Sequence, residues 1–197
     1  FRRVLFRSAI VSALKTEKDA HVFGDALLAL ARLQHGAAER SLVEGMKHPS
    51  AFVRRQAVAG AESLARAAKP ESMPQFARDL AKQAIADPDL RVRQSGISLL
   101  ALSDPTACVA APAKEFSSSE AALERATWAQ SIAANDAAFA AFRAAKFPGG
   151  NGLLLGVAGQ RADASLAAAM RPTWREAAKE SPRDFIIAAR RQRDPQL

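Results

Sequence analysis

Two stretches of this chain, HPSAFVRRQAVAGAESLARA at residues 48–67 and DPDLRVRQSGISLLALSDPT at residues 87–106, carry one pattern twice at a spacing of thirty-nine residues. Superposing them pairs Pro49 with Pro88, Val53 with Val92, Arg54 with Arg93, Ala57 with Gly96 and Val58 with Ile97. The shared positions are a helix start, an apolar stripe at helical spacing and one arginine. Each copy predicts a helical hairpin whose second apolar face only a neighbouring hairpin can cover. The repeat therefore predicts a stack of hairpins, an α-solenoid.

The composition favours helices over sheets. Hydrophobic residues make up 49% and charged residues 24% of the 197 residues, and tyrosine is absent. Alanine, the strongest helix former, is frequent, whereas alternating β-branched runs are scarce. A chain of this length holds one or two compact domains. Its single cysteine, Cys108, excludes an internal disulfide and is predicted to lie in the core.

Apolar residues at spacings of three and four predict the helices in more detail. Before the repeat, one stripe joins Val22, Ala26, Leu27, Leu30 and Leu33 and ends at Gly36, and a second joins Leu42, Val43 and Met46. Within the repeat, three helices are predicted from their inward-facing residues. These residues are Val53, Ala57, Ala61 and Leu64 in the first helix, Met73, Phe76, Leu80 and Ala84 in the second, and Val92, Gly96, Leu99 and Leu100 in the third. Beyond it, Leu123, Trp128 and Ile132 mark a helix with Ser117 and Glu120 in capping-box spacing, and Asn135 is placed to cap another through about Lys146.

The repeat resembles the HEAT and PBS-lyase-type HEAT-like families. Their signature is an acidic residue, a short loop, a Val-Arg pair and a small residue three positions after the arginine. Asp87, Val92, Arg93 and Gly96 match it, as do Val53, Arg54 and Ala57 in the preceding unit, where His48 replaces the acid. The match is good over residues 37–104, and the resemblance as a whole covers about residues 19–134. It implies an all-α fold, a right-handed solenoid of helical hairpins, in which Arg54, Asp87 and Arg93 form a structural ladder between neighbouring repeats.

The domain organisation follows from where this pattern stops. Residues 9–146 are assigned to the solenoid. The segment FPGGNGLLLGVAGQ at residues 147–160 holds five of the ten glycines and is predicted to be a Gly-rich loop. Residues 161–197, interrupted at Pro172 and Pro182, are predicted to form two or three short helices that serve as a C-terminal cap or tail.

The first eight residues, FRRVLFRS, resemble the translation of a common short-read sequencing adapter. We treat them as non-native and expect the natural sequence to begin near Ala9, with its true N-terminus missing. The chain has 28 Lys and Arg against 20 Asp and Glu, a net charge of +8, and three of the basic residues lie in the octet, which leaves +5. Residues 171–197 hold seven basic and four acidic residues. The body of the chain, residues 9–170, therefore carries 18 Lys and Arg against 16 Asp and Glu. This nearly neutral body weakens the case for nucleic acid that the overall charge suggests.

The sequence contains no motif for catalysis, a cofactor or a metal. The glycine-rich segment lacks the G-x-G-x-x-G pattern, and no Gly-Lys-Ser/Thr follows it. His21, His35 and His48 lack metal-ligand spacing, and no serine lies in a G-x-S-x-G turn. Trp128 and Trp174 are predicted to be core or cap aromatics. We therefore predict no cofactor and no metal, and favour a protein without enzymatic activity.

The candidate site is a surface. In a HEAT-like solenoid the second helices line the concave face, and there we expect partner-binding residues at Arg55, Glu62, Arg66, Lys69, Gln94 and Ser98. The leading hypothesis is a scaffold or adaptor that binds a protein or peptide on this face. The alternatives are a nucleic-acid-binding protein similar to the HEAT-like alkylpurine glycosylases, and the C-terminal helical part of a larger enzyme. No apolar run reaches the length of a membrane span, and a cytoplasmic location is expected.

Overall fold

The computed structural model of the chain describes residues 9–34, 36–69, 72–111, 119–194 and 196–197. All regular secondary structure in those ranges is helical, which confirms the all-α class. The chain divides into two compact units, an N-terminal unit that ends at Ser103 and a C-terminal unit that starts at Asp104. The sequence had placed the change of architecture after residue 146.

The helices of the N-terminal unit form two layers. After a helical stretch at residues 9–14 they are α1 (Ala20–Arg32), α2 (Ala38–Gly45), α3 (Ala51–Ala67), α4 (Gln75–Ala84) and α5 (Leu90–Ser103). The carboxylates of Asp19 and Asp89 accept backbone N–H groups in the first turns of α1 and α5, which fixes where these helices begin. Helix α3 packs between α1 and α5, while α2 packs on α1 and α3, and α4 packs on α3 and α5.

The layer of α1, α3 and α5 presents one recurring face to the core. Buried residues lie eight and eleven positions after the cap residues Asp19, Ser50 and Asp89: they are Leu27, Val58 and Ile97, then Leu30, Ala61 and Leu100. Helix α1 therefore belongs to the same series as α3 and α5. In α1, however, the residues at the Val-Arg position are Val22 and Phe23.

The two helices of each hairpin cross at a pair of small residues. In the α2/α3 hairpin, a Cβ added at Gly45 would lie 3.2 Å from the Cβ of Ala57. In the α4/α5 hairpin the order is reversed, because a Cβ added at Gly96 on α5 would lie 2.7 Å from the Cβ of Ala84 and 2.9 Å from its carbonyl carbon. Each crossing thus has room for one methyl group, which comes from α3 in one hairpin and from α4 in the other.

The C-terminal unit is built around one central helix. Its helices are α6 (Pro105–Ala110), α7 (Ser119–Ala134), α8 (Asp136–Ala144), α9 (Gly150–Gln160), α10 (Ala164–Met170), a 3-10 turn (Arg171–Thr173), α11 (Trp174–Glu180) and α12 (Pro182–Gln192). Helix α9 packs against both α7 and α12, α6 packs against α8, and α11 packs against α12. Asn135 caps α8 as predicted, because its Oδ1 accepts the N–H of Ala138 at 3.0 Å.

The predicted Gly-rich loop at residues 147–160 is wrong over most of its length, because residues 150–160 form α9. Five apolar side chains of this helix are buried (Leu153, Leu154, Leu155, Val157 and Ala158), and this packing outweighs the low helix propensity of glycine. At Gly156 an added Cβ would lie 2.7 Å from the Cβ of Ala129, so glycine allows α7 to approach closely. The turn is confined to the start of the helix, where Lys146, Phe147, Gly149 and Gly150, the first residue of α9, have positive φ.

Three residues that were predicted to be buried are exposed: Val22 by 54%, Val43 by 38% and Leu123 by 53%. Periodicity locates an apolar stripe, but which residue at its edge faces the core depends on how the neighbouring helix is placed. Met73 precedes α4 instead of lying within it.

Cys108 and the two tryptophans differ in how far they are buried. Cys108 and Trp128 are buried as predicted. Trp174 is 37% exposed, and its ring stacks on Phe185 at a centroid distance of 6.4 Å. His35 and the predicted cap residue Ser117 lie outside the described residues.

Candidate functional site

Arg54 of α3 and Asp87 of the α4–α5 turn form a two-pronged ion pair. The Nε of Arg54 donates to Oδ2 of Asp87 at 2.7 Å, and its Nη2 donates to Oδ1 at 2.9 Å. The two side chains are only 14% and 6% exposed. Burial alone would raise the pKa of Asp87, but hydrogen bonds from Arg54 and from the Asp89 N–H, with the charges of Arg54 and Arg93, hold that pKa below its usual range.

The repeated arginines also bind their own turns in the same way. The Nη1 of Arg54 donates to the carbonyl oxygens of His48 at 3.0 Å and Pro49 at 2.8 Å. The Nη1 of Arg93 donates to the carbonyl oxygens of Asp87 at 3.0 Å and Pro88 at 2.9 Å. These carbonyls lie six and five residues before each arginine, so the arginine holds the turn that precedes its helix. Arg54 additionally joins its hairpin to the next one through Asp87.

His48 occupies the turn position that Asp87 occupies in the next hairpin. Its Nδ1 accepts the N–H of Ser50 at 3.1 Å, and Oδ1 of Asp87 accepts the N–H of Asp89 at 2.9 Å, so both side chains hold the backbone two residues further on. The His48 ring also stacks on Phe23 of α1, with centroids 5.6 Å apart. Phe23 lies four residues after its helix cap, the position that Arg54 has in α3. A ring stack therefore takes the place of the ion pair at this junction.

Of the six residues predicted to bind a partner, four lie on α3 or near its end. The guanidinium of Arg55 lies over the ring of Phe52, 5.8 Å from its centroid. Glu62 and Arg66 pair with each other, with Nη2 of Arg66 2.6 Å from Oε1 of Glu62. Lys69 was expected on the same helical stripe, but α3 ends at Ala67, so Lys69 lies beyond the helix.

The other two predicted residues, Gln94 and Ser98, lie one turn apart on α5 and are partly exposed. The hydroxyl of Ser98 donates to the carbonyl oxygen of Gln94 at 3.4 Å. Gln94 is the equivalent of Arg55 in the repeat, so α3 and α5 each contribute to the same side of their layer.

Sequence reasoning missed the contribution of α1 to this surface. The ring of Phe52 lies against His21, with centroids 4.4 Å apart, and Nε2 of Gln56 donates to Oδ1 of Asp25 at 2.8 Å. Phe52 fits here because Gly24 lies beneath it. The spacing of residues after each helix cap was the available signal, since it relates α1 to α3 without a shared Val-Arg pair. We call His21, Asp25, Arg55, Gln56, Glu62, Arg66, Gln94 and Ser98 together the partner face.

The described residues hold little that points to metal or thiol chemistry. No group of three or more His, Cys, Asp or Glu side chains is placed to hold a metal ion in the ranges that the structure covers. Burial, with a smaller effect from Asp104, raises the pKa of Cys108 to about 12, so this thiol stays protonated at neutral pH. Within the same ranges, every helix is too short or too polar to cross a bilayer.

A comparison with models of protein families, with curated proteins and with solved structures gave no match to this chain.

Proposed function

We propose that the N-terminal unit is a right-handed, HEAT-like solenoid segment that binds a protein or peptide along the partner face and has no catalytic role itself. The observation that carries this proposal is the repeated arginine clasp. Arg54 and Arg93 make the same two contacts to their own turns, and Arg54 reaches the next turn at Asp87. Repetition of this kind supports an extended stack, whose exposed layer is the surface that solenoid proteins use for binding.

The chemistry of the partner face favours a polypeptide over nucleic acid. Acidic Asp25 and Glu62 lie among the basic Arg55 and Arg66, and Glu62 neutralises Arg66. A duplex phosphate backbone needs rows of unpaired Lys and Arg, and here it would meet carboxylates. A peptide offers charges of both signs and hydrogen-bonding groups, and Arg and aromatic side chains such as those at Arg55 and Phe52 are common anchors in protein interfaces.

The test is selection of a displayed random peptide library on the immobilised full chain, followed by calorimetry on the selected peptides. We expect Arg55→Glu and Gln56→Ala to weaken binding about tenfold or more, because both residues lie on the partner face. Lys82→Glu is the matched control, since it reverses one exposed charge on α4, in the other layer. Circular dichroism melts of each variant verify that the fold is retained.

Peptides that bind Arg55→Glu and Gln56→Ala as tightly as the unchanged chain would contradict the assignment of the partner face. A fluorescently labelled DNA duplex that binds at low salt, weakens steeply with added salt and is released by Arg55→Glu would instead assign this face to nucleic acid.

A further inference from the structure

The C-terminal unit contains a cavity that the proposed function does not use. It has a volume of about 300 Å³ and lies between α7 and α12, over α9. Gly152, Gly156 and Gly159 of α9 form its floor, because spacings of four and three place them on one side of the helix. Leu155 and Ile187 supply apolar walls. The volume is at the lower end of the range for small-molecule sites, which suits a single small metabolite better than a nucleotide or a peptide.

Two opposite charges line this cavity from opposite helices. Arg125 comes from α7 and is partly buried, and Asp184 comes from α12 and is exposed. Neither side chain forms a hydrogen bond or an ion pair with any residue that the structure describes. No nitrogen of the Arg125 guanidinium is fully enclosed by protein, so an anionic group that enters the cavity can reach it. A ligand that brings an anionic and a cationic group would pair with both residues.

A side chain at residue 152 would first meet the side chain of Arg125. The three atoms nearest to an added Cβ all belong to the Arg125 side chain, with Nη1 at 3.0 Å, Cδ at 3.3 Å and Cζ at 3.4 Å. At Gly156, in contrast, the added Cβ would meet Ala129 of the packed helix α7. The fold would therefore accept alanine at residue 152 if the guanidinium moved away. Glycine at this position keeps the Arg125 guanidinium inside the cavity.

We propose that this cavity binds a small zwitterion of the α-amino acid class. The carboxylate of the ligand accepts hydrogen bonds from the Arg125 guanidinium, whose planar fork matches a carboxylate. Its ammonium group donates to the Asp184 carboxylate, and its side chain lies along Leu155 and Ile187. The bare glycine floor lets the ligand approach the backbone of α9.

The test uses the full chain and the twenty common amino acids as probes, screened by thermal shift and measured by calorimetry. We expect at least one of them to bind, and its amide or its N-acetyl derivative to bind about tenfold more weakly or not at all. Arg125→Gln and Asp184→Asn should each weaken binding by about tenfold or more. Arg183→Gln is the matched control, because this exposed arginine of α12 adjoins Asp184 in sequence but does not line the cavity.

Gly152→Ala separates binding from folding. We expect this variant to melt at or above the temperature of the unchanged chain and to bind the amino acid about tenfold more weakly, because the added methyl displaces Arg125. The proposal is overturned if none of the twenty amino acids binds at about 10 mM, if the amide and N-acetyl forms bind as well as the free amino acid, or if Arg125→Gln and Asp184→Asn bind normally. These outcomes leave the partner face untouched, since its residues lie in the N-terminal unit.

Discussion

The two hairpins of the N-terminal unit have the same turn but join the preceding helix in different ways. In the α2/α3 hairpin, His48 stacks on Phe23 of α1. In the α4/α5 hairpin, Asp87 accepts two hydrogen bonds from Arg54 of α3. Both turn residues also accept the backbone N–H two positions on. The local backbone bond is therefore common to both hairpins, whereas the contact to the preceding helix is a ring stack in one and a charged pair in the other.

This difference shows which parts of the repeat are interchangeable. In both hairpins the turn residue provides an acceptor for the backbone N–H, a histidine nitrogen in one and a carboxylate oxygen in the other. The turn residue is complemented by a residue of the preceding helix that lies four positions after the cap of that helix. Phe23 of α1 complements His48 in this way, and Arg54 of α3 complements Asp87. The crossing pairs Gly45–Ala57 and Ala84–Gly96 likewise each combine one glycine with one alanine, with the two residue types on opposite helices in the two hairpins. Between these two hairpins the positions differ in pairs, so we expect a single change to leave one member without its partner.

Removing one member of the charged junction should have the largest effect. Arg54→Ala leaves the Asp87 carboxylate nearly buried without its counterion and frees two carbonyls of the preceding turn. We expect a loss of about 3 kcal/mol in the free energy of unfolding. Urea denaturation followed by circular dichroism measures it.

Arg66→Ala is the control for that prediction. Arg66 is an exposed arginine of the same helix whose ion pair with Glu62 joins residues of a single helix surface. We expect its removal to change the free energy of unfolding by less than about 0.5 kcal/mol. Equal losses for Arg54→Ala and Arg66→Ala would refute the role of the Arg54–Asp87 pair in joining the hairpins.

The two helix crossings should respond unequally to one added methyl group. Gly96→Ala would bring its Cβ within 2.9 Å of backbone atoms of Ala84 and Ile85, which cannot move independently of α4. We expect a loss of about 2 kcal/mol. Gly45→Ala meets the end of the Leu27 side chain, which can rotate away, and the Ala57 Cβ at 3.2 Å. It should cost clearly less in the same urea measurement, and a loss equal to that of Gly96→Ala would contradict the asymmetry.

The repeat in the sequence was sufficient to predict the helical class and most of the core of the N-terminal unit. The Val-Arg pair and its small residue located Val53, Val92 and Gly96 correctly as buried. The pattern failed where packing between elements decides the outcome. Residues 150–160 look like a loop because glycine is a weak helix former, but the close approach of α7 and α12 makes glycine favourable there.

The candidate site was only partly accessible from sequence. Arg55, Glu62 and Arg66 could be predicted to share a surface because they lie on one stripe of a single helix. Asp25 and Gln56 were not, because their contact depends on how α1 and α3 are aligned, and no periodicity within one helix encodes that alignment. The pairing of Glu62 with Arg66 was equally unforeseen, although the two residues are one helical turn apart.

Acid should weaken the charged junction. The pKa of Asp87 is lower in the folded chain than the value of about 3.9 expected when it is unfolded. Its ionised form therefore stabilises the fold above that unfolded value, and this stabilisation is lost as the pH falls through the folded pKa. We expect the difference in unfolding free energy between the unchanged chain and Asp87→Asn to be largest above about pH 4 and to shrink below it. A difference that stays constant from pH 6 to about pH 2.5 would contradict this assignment.

The smallest expected effect comes from converting one junction into the other. Phe23→Arg alone places a guanidinium against His48 with no acid to bind, and His48→Asp alone places a carboxylate against the Phe23 ring. Each change should cost about 1 kcal/mol, whereas the double variant recreates the arginine–aspartate pair of the second hairpin and should recover most of that loss. A double-mutant cycle by urea denaturation measures the coupling, which we expect to be about 1.5 kcal/mol. If the two losses simply add, the junctions are not equivalent, and the Phe23–His48 stack has a geometry that an ion pair cannot replace.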